Sequence, residues 1–277
     1  VIGPDGRISA LDGSRLGNRL ARFAGLRPGG ELRKAMARDI ADEAARETRL
    51  HRLLDDLAGA VFMSVAAWYA WEGGIKGHAD RLGAKSVADR PVTGICLSYV
   101  PGSPSMTADG RRENADHPIG PLPLATADPF QFHALAETDG PNQWRLRRTD
   151  LWREGGELVA DAWFQDSSAI EGDPGRRLIF HEYGLTARFD PASLEIAAIS
   201  VTPHVLPYVT CHAAPATAEV LLGRNVRDLR GLVPSLLRGE AGCTHLNDML
   251  RALQDVAALA GVIGMVGADG NDAGGGS

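Results

Sequence analysis

Gly242-Cys243-Thr244-His245-Leu246-Asn247-Asp248-Met249-Leu250 is the stretch around which the rest of the chain reads as organised, because it joins a helix start to the reactive side chains of Cys243, Thr244 and His245. It has an echo far upstream in Glu47-Thr48-Arg49-Leu50-His51-Arg52-Leu53-Leu54-Asp55-Asp56-Leu57. In each copy a Thr precedes apolar residues at helical spacing, Leu50, Leu53, Leu54 and Leu57 in one and Leu246, Met249, Leu250 and Leu253 in the other. Each therefore predicts a helix that buries one stripe. Both threonines are placed as N-caps, where a hydroxyl accepts from the first-turn amides, and Asp248 puts negative charge near the positive end of the helix dipole. The echo extends upstream: Gly25 and Gly223 follow apolar segments, Leu32-Arg33 and Leu229-Arg230 come next, and the offset between copies shortens by one residue at each step. Asp5-Gly6-Arg7-Ile8 can likewise be laid on the turn and strand that begin at Asp190. The fold predicted is α+β, an antiparallel β meander packed on helices, built as two diverged copies of a strand-then-helices unit. The first copy is N-terminally incomplete, and a native protein is expected to continue upstream of Val1.

With 277 residues, 44% of them hydrophobic, the chain can build one large or two ordinary cores. Its 29 basic and 35 acidic residues are interspersed, which speaks against a nucleic-acid footprint and against a polybasic membrane patch. Cys96, Cys211 and Cys243 make an odd count without a signal peptide, so a reducing compartment, the cytoplasm, is expected. The most apolar run, residues 58–71, is too short for the roughly 20 residues that span a bilayer and reads as a buried helix.

Residues 1–72 form the first unit, with helices predicted over 31–46 and from Thr48 to the glycines at 73 and 74. Residues 73–140 carry many prolines and glycines and read as a connector wrapping over one or both units. His117 and His133 lie within it. The second unit, 141–266, opens with a hairpin around Glu154-Gly155-Gly156. A strand over 177–189 follows, then Asp190-Pro191 and a strand over 194–201 that Pro203 and Pro207 end. Alternation on the 177–189 strand puts His181 and Tyr183 on one mostly apolar face. Helices over 216–223, 227–237 and 244–262 complete the unit, and the glycine-rich residues 267–277 read as a flexible tail.

Leu151-Trp152-Arg153, Asp161-Ala162-Trp163-Phe164-Gln165-Asp166-Ser167, His181-Glu182-Tyr183, Thr202-Pro203-His204-Val205-Leu206-Pro207, Cys211 and Cys243-Thr244-His245-Leu246-Asn247-Asp248 together resemble the bacterial family known as domain of unknown function 2889. The likeness covers residues 140–260, and the connector and the Thr48 helix look like the longer, two-part members. The resemblance implies a soluble bacterial protein, often met near genes for the breakdown of aromatic or acyl compounds. It supplies no established activity. His212 stands where relatives are expected to carry Pro.

Several side chains are candidates for chemistry. Cys243 and His245 bracket the capping Thr244, and a helix N-terminus favours a thiolate and bound anions. His181, Tyr183, Asp161 and Asp166 lie on strands that could form the wall facing that helix start. The catalytic set predicted is therefore His181, Tyr183, His245, Asp161 and Cys243, with Thr244, Trp163, Asp166 and Cys211 holding substrate. Such a set suits proton transfer by a cofactor-independent lyase or isomerase acting on an aromatic or acyl compound. The alternatives are a metal-assisted hydrolase and a non-catalytic ligand-binding or assembly protein. No cofactor is favoured; were zinc bound, Cys211, Cys243 and His245, with His181 as a fourth candidate, would be its ligands. The partner expected is a small molecule, with no nucleic acid and no membrane, and a homodimer stays open.

Overall fold

The computed structural model describes residues 2–3, 6–11, 17–46, 48–81, 91–113, 121–123, 139–173 and 176–269. The chain divides into two compact units, one of Val1–Asp89, His133–Gln143 and Ser168–Gly172, the other of Arg90–Phe132, Trp144–Ser167 and Asp173–Ser277. His117 and His133 lie outside the described residues.

In the first unit, Ile8 bridges Ile2. It also exchanges backbone hydrogen bonds with the segment after the first short helix, Ile8 N to Leu26 O at 2.9 Å and Gly25 N to Ile8 O at 2.8 Å. Its helices are α1 (Asn18–Ala21), α2 (Gly30–Asp39), α3 (Ala41–Ala45), α4 (Arg49–Ser64) and α5 (Gly74–Arg81). The single helix predicted over 31–46 is broken at Ile40, whose φ of −138° leaves the helical region while its side chain is fully buried. Ile8, Leu20, Phe23, Leu32, Ala35, Met36, Ile40 and Leu54 form the core. The expectation of a buried helix over 58–71 needs correction: Phe62 is 42% and Tyr69 50% exposed, and the helix tightens into a 3₁₀ turn at Val65–Trp68.

The second unit carries a sheet whose strands are β1 (Pro121–Pro123), β2 (Gln143–Glu154), β3 (Glu157–Ala169), β4 (Arg176–Phe189) and β5 (Ile196–Val205). The order is β1-β4-β3-β2, with β5 also paired to β4, so the α+β meander is present. The hairpin turn falls where predicted, and Gly155 and Gly156 take the positive φ values, 58° and 88°, that a tight two-residue turn requires. Contrary to expectation, β5 continues through Pro203. It can do so because Tyr183 pairs with Pro203 and Glu182 with Val205, which makes His204 the extra residue of a bulge just where the proline has no N–H to offer the ladder. One face of the sheet, Leu158, Ala160, Ala162 and Phe164 of β3 with Tyr183, Leu185, Ala187 and Phe189 of β4, packs against Leu229, Val233, Leu246, Met249, Leu250 and Leu253. These come from α6 (Leu229–Leu236), α7 (Thr244–Ala252) and the 3₁₀ turn Leu253–Asp255, after which α8 (Val256–Asp269) follows. The last helix is thus interrupted rather than continuous, and residues 267–269 of the predicted tail are helical.

The two units share local detail. Ile196 N bonds Arg224 O at 3.0 Å and Gly223 N bonds Ile196 O at 2.9 Å, the same pair of bonds that Ile8 makes with Leu26 and Gly25. Gly25 and Gly223 both have positive φ, 82° and 71°. The helix ends at Ile40 and Leu237 close with equivalent 2.9 Å bonds, to Met36 O and Val233 O. The repeated Thr helices differ more than predicted. Thr48 is an N-cap, its Oγ1 accepting from His51 N at 3.2 Å, whereas in α7 the cap position belongs to Cys243 and Thr244 is already helical. Leu53 is 70% exposed where its counterpart Met249 is 2% exposed. Among the described residues no helix is long and apolar enough to cross a membrane.

Candidate functional site

Three elements of the second unit bring ionisable side chains to one buried point. On β4 the alternation that buries Tyr183 and Leu185 also turns His181 inward, 8% exposed. On β3 the same rule turns Asp166 inward with Phe164, and Asp166 is fully buried. The start of α7 supplies His245, with Asp248 three residues on and Arg251 three after that, each step one between neighbours on the helix surface. Counting back from the Gly155-Gly156 turn sets Arg145 of β2 opposite Asp166. It bonds both carboxylate oxygens, Nε to Oδ1 at 2.7 Å and Nη2 to Oδ2 at 2.9 Å. Its remaining nitrogen, Nη1, pairs with Asp248, which also takes Arg251 Nη1 at 3.3 Å.

Against this ion-pair chain the two imidazoles stack, ring centroids 3.4 Å apart and planes 15° from parallel. His181 Nδ1 lies 3.6 Å and His245 Nε2 3.9 Å from the same atom, Asp166 Oδ2. Both separations exceed hydrogen-bond reach, and His181 Nδ1 is buried with no hydrogen-bond partner. Burial lowers the affinity of both rings for a proton, outweighing the attraction of Asp166, and in His245 the neighbouring His181 adds to the effect. Both are therefore neutral at pH 7. For Asp166 burial opposes ionisation, yet the Arg145 guanidinium, bonded to both of its oxygens, holds its carboxyl well below the usual carboxylate range. A carboxylate oxygen has two lone pairs; one of those on Oδ2 goes to Arg145 and the other side faces the histidines.

The remaining predicted residues divide between this cluster and elsewhere. Tyr183 reaches Cys243, hydroxyl to Sγ 3.5 Å, and Cys243 Sγ lies 3.9 Å from His245 Nδ1. Thr244 Oγ1 is 3.4 Å from the same ring nitrogen. Cys211 sits under Ser98, which donates to its Sγ at 3.1 Å. Burial pushes the thiols up, Cys211 to about 12 and Cys96 to about 11, and raises Cys243 too, so the helix N-terminus does not make Cys243 a thiolate. Among the described residues the ligand-type groups that converge closely enough for one metal ion are Asp166, His181 and His245, without a cysteine. Asp161 and Trp163 are not brought to the cluster. They have the opposite parity to Asp166 on β3, so Asp161 is exposed and Trp163 donates to Glu182 at 3.2 Å on the other face of the sheet.

Residues 91–113 of the connector are anchored beside this helix start. Leu97 N bonds Gly242 O at 2.9 Å, Ser105 Oγ meets Thr210 Oγ1 at 2.5 Å, and Tyr208 donates to Glu113 O at 2.8 Å. Residues 114–120 and 124–138, the rest of the predicted cover, lie outside the described residues.

Gly242 is required by contact rather than by conformation, its φ of −153° being open to any residue. A Cβ there would stand 2.5 Å from Leu237 O and 2.8 Å from Leu237 Cβ. Gly242→Ala is thus expected to displace the turn that carries His245 and to lower stability by about 1–3 kcal/mol, as overpacking does. An unchanged melting temperature would show that the turn yields freely.

Sequence reasoning missed Arg145 and Arg251. The register of the hairpin pointed to the first, and the three-residue spacing of His245, Asp248 and Arg251 pointed to the second. Residues 144–259 match the family model described as "Protein of unknown function (DUF2889)". The resemblance drawn from the motifs holds over that span, which contains the whole cluster from Arg145 to Arg251. The chain matches no curated protein and no solved structure.

Proposed function

We propose that this chain is a metal-dependent enzyme, a small-molecule hydrolase, whose ion is held by Asp166 Oδ2, His181 Nδ1 and His245 Nε2. The observation that carries the reading is the orphaned, buried Nδ1 of His181, which lies with His245 Nε2 around one carboxylate oxygen at 3.6 and 3.9 Å. An ion about 2.0–2.2 Å from each ligand would span such gaps once the stacked rings turn their in-plane lone pairs toward it. Nitrogen and carboxylate donors without sulfur suit zinc and other first-row divalent ions. Three protein ligands leave coordination positions open, the pattern of catalytic rather than structural sites, and such an ion activates water or polarises a carbonyl. Burial keeps both imidazoles neutral, the form in which a ring nitrogen can ligate, Arg145 fixes the carboxylate, and Thr244 Oγ1 can accept a proton from His245 Nδ1, which selects the tautomer whose Nε2 carries none.

Metal-free proton transfer, the lyase or isomerase chemistry expected from the sequence, is supported by the two neutral imidazoles, yet a base oriented by its carboxylate needs a hydrogen bond that 3.6 Å does not provide. Elemental analysis of protein purified without chelator separates the readings. One equivalent of a divalent ion, removed by chelation together with turnover of activated esters and restored by zinc, manganese or iron(II), is expected. Turnover that survives complete removal of metal would overturn the hydrolase reading in favour of acid/base chemistry.

A further inference from the structure

The ion-pair chain of the site is balanced before any ion enters it. Arg145 and Arg251 carry two positive charges, Asp166 and Asp248 two negative ones, and every carboxylate faces a guanidinium. A divalent ion adds two positive charges that the protein leaves uncompensated. Arg112 adds a third. Its Nε is buried without a hydrogen-bond partner, and among the described residues its guanidinium has no carboxylate within ion-pair distance.

A chain of contacts ties the segment that carries Arg112 to the start of the helix that bears His245. Residues 106 and 112 form an isolated antiparallel bridge, and the next residue, Glu113, is pinned through its carbonyl to Tyr208. Tyr208 packs edge-on against Tyr99 at 5.8 Å. Two residues before Tyr99, Leu97 is bonded to Gly242, at the start of the helix that bears His245. The charge of Arg112 is felt by both the Tyr99 phenol and the His245 ring. A partly buried cation with free donors is costly unless an anion meets it.

We propose that Arg112 is the anion-recognition residue of this site and that the substrate carries a carboxylate, which Arg112 grips while the reacting group faces Asp166, His181 and His245. A carboxylate is favoured over phosphate because one planar guanidinium matches its two oxygens, whereas the neighbouring arginines that a phosphate would recruit are already committed to Asp166 and Asp248. This rests on the metal-site reading for where the chemistry happens, but the recognition itself can be tested apart from it.

The experiment is calorimetric titration of benzoate, malonate and inorganic phosphate into the full chain, metal-free and cobalt(II)-loaded, for wild type, Arg112→Gln and Arg112→Lys. At least one of the two carboxylates should bind wild type, weaken tenfold or more in Arg112→Gln and recover partly in Arg112→Lys, since a charge-assisted bond is lost and partly replaced. Cobalt stoichiometry should stay the same in all three, and thermal melts confirm folding. Equal carboxylate binding by wild type and Arg112→Gln, binding of phosphate alone, or no binding of either carboxylate by wild type overturns the proposal. Arg112-dependent carboxylate binding in a protein that takes up no cobalt upholds it and sinks the metal reading instead.

Discussion

Replacing His181 by Leu is expected to empty the centre and, at the same time, to leave the metal-free protein at least as stable as before. The two effects have one origin. His181 presents a buried nitrogen with no hydrogen-bond partner, and such a group lowers stability by about 1–3 kcal/mol relative to an apolar side chain of similar size. A residue kept under that penalty serves something other than the fold. Removing a ligand should weaken divalent-ion binding by more than the ten- to hundredfold typical of a lost outer-shell partner. Turnover should fall to background, and zinc or cobalt titration followed by melts with and without metal reads all of this. Wild type should gain melting temperature on adding metal, by linkage, while the variant should not. If His181→Leu instead melts far below metal-free wild type, the histidine is a structural member of the core and the centre is misassigned.

Arg145→Met should produce the largest loss of stability in the molecule. Arg145 is the hub of the buried chain, donating twice to Asp166 and once to Asp248, and its side chain is 9% exposed beside an aspartate that is 0% exposed. Breaking a buried pair by removing one partner typically destabilises by about 3–5 kcal/mol, because the other charge stays behind unpaired. Asp248 keeps Arg251, so the charge stranded is that of Asp166. The double variant Arg145→Met/Asp166→Asn should therefore regain much of the stability while still failing to hold metal. Denaturant unfolding of the single and double variants gives the coupling directly. A single variant within about 0.5 kcal/mol of wild type would mean that water reaches the pair and that the site is more open than its burial indicates.

Several parts of this architecture were legible in the chain. Gly155-Gly156 between two alternating runs predicts the hairpin, and Asp190-Pro191 the next turn. The period-two pattern placed His181 and Tyr183 on the inward face of their strand. The apolar spacing after Thr244 gave α7 its buried stripe. The bulge at His204 was not legible, since a proline reads locally as the end of a strand and only the register with β4 shows it being accommodated.

What the sequence determined by itself was therefore which side chains share a face within each element, because strand and helix periods follow from backbone geometry alone. Which faces meet was decided by the tertiary structure. Asp161 and Asp166 are equally acidic on paper; being five residues apart on a strand they must point opposite ways, and only the packing of α7 on one side of the sheet selects Asp166 and leaves Asp161 in solvent. Cys243 and Cys211 looked as apt as His181 for a reactive or ligating role. Their enclosure in the apolar core keeps them as thiols, and the same enclosure keeps His181 and His245 neutral. Charge state in a buried site depends on desolvation and on partners brought from distant segments, here Arg145 from β2 and Asp248 from α7. Neither quantity is a property of any local stretch of chain.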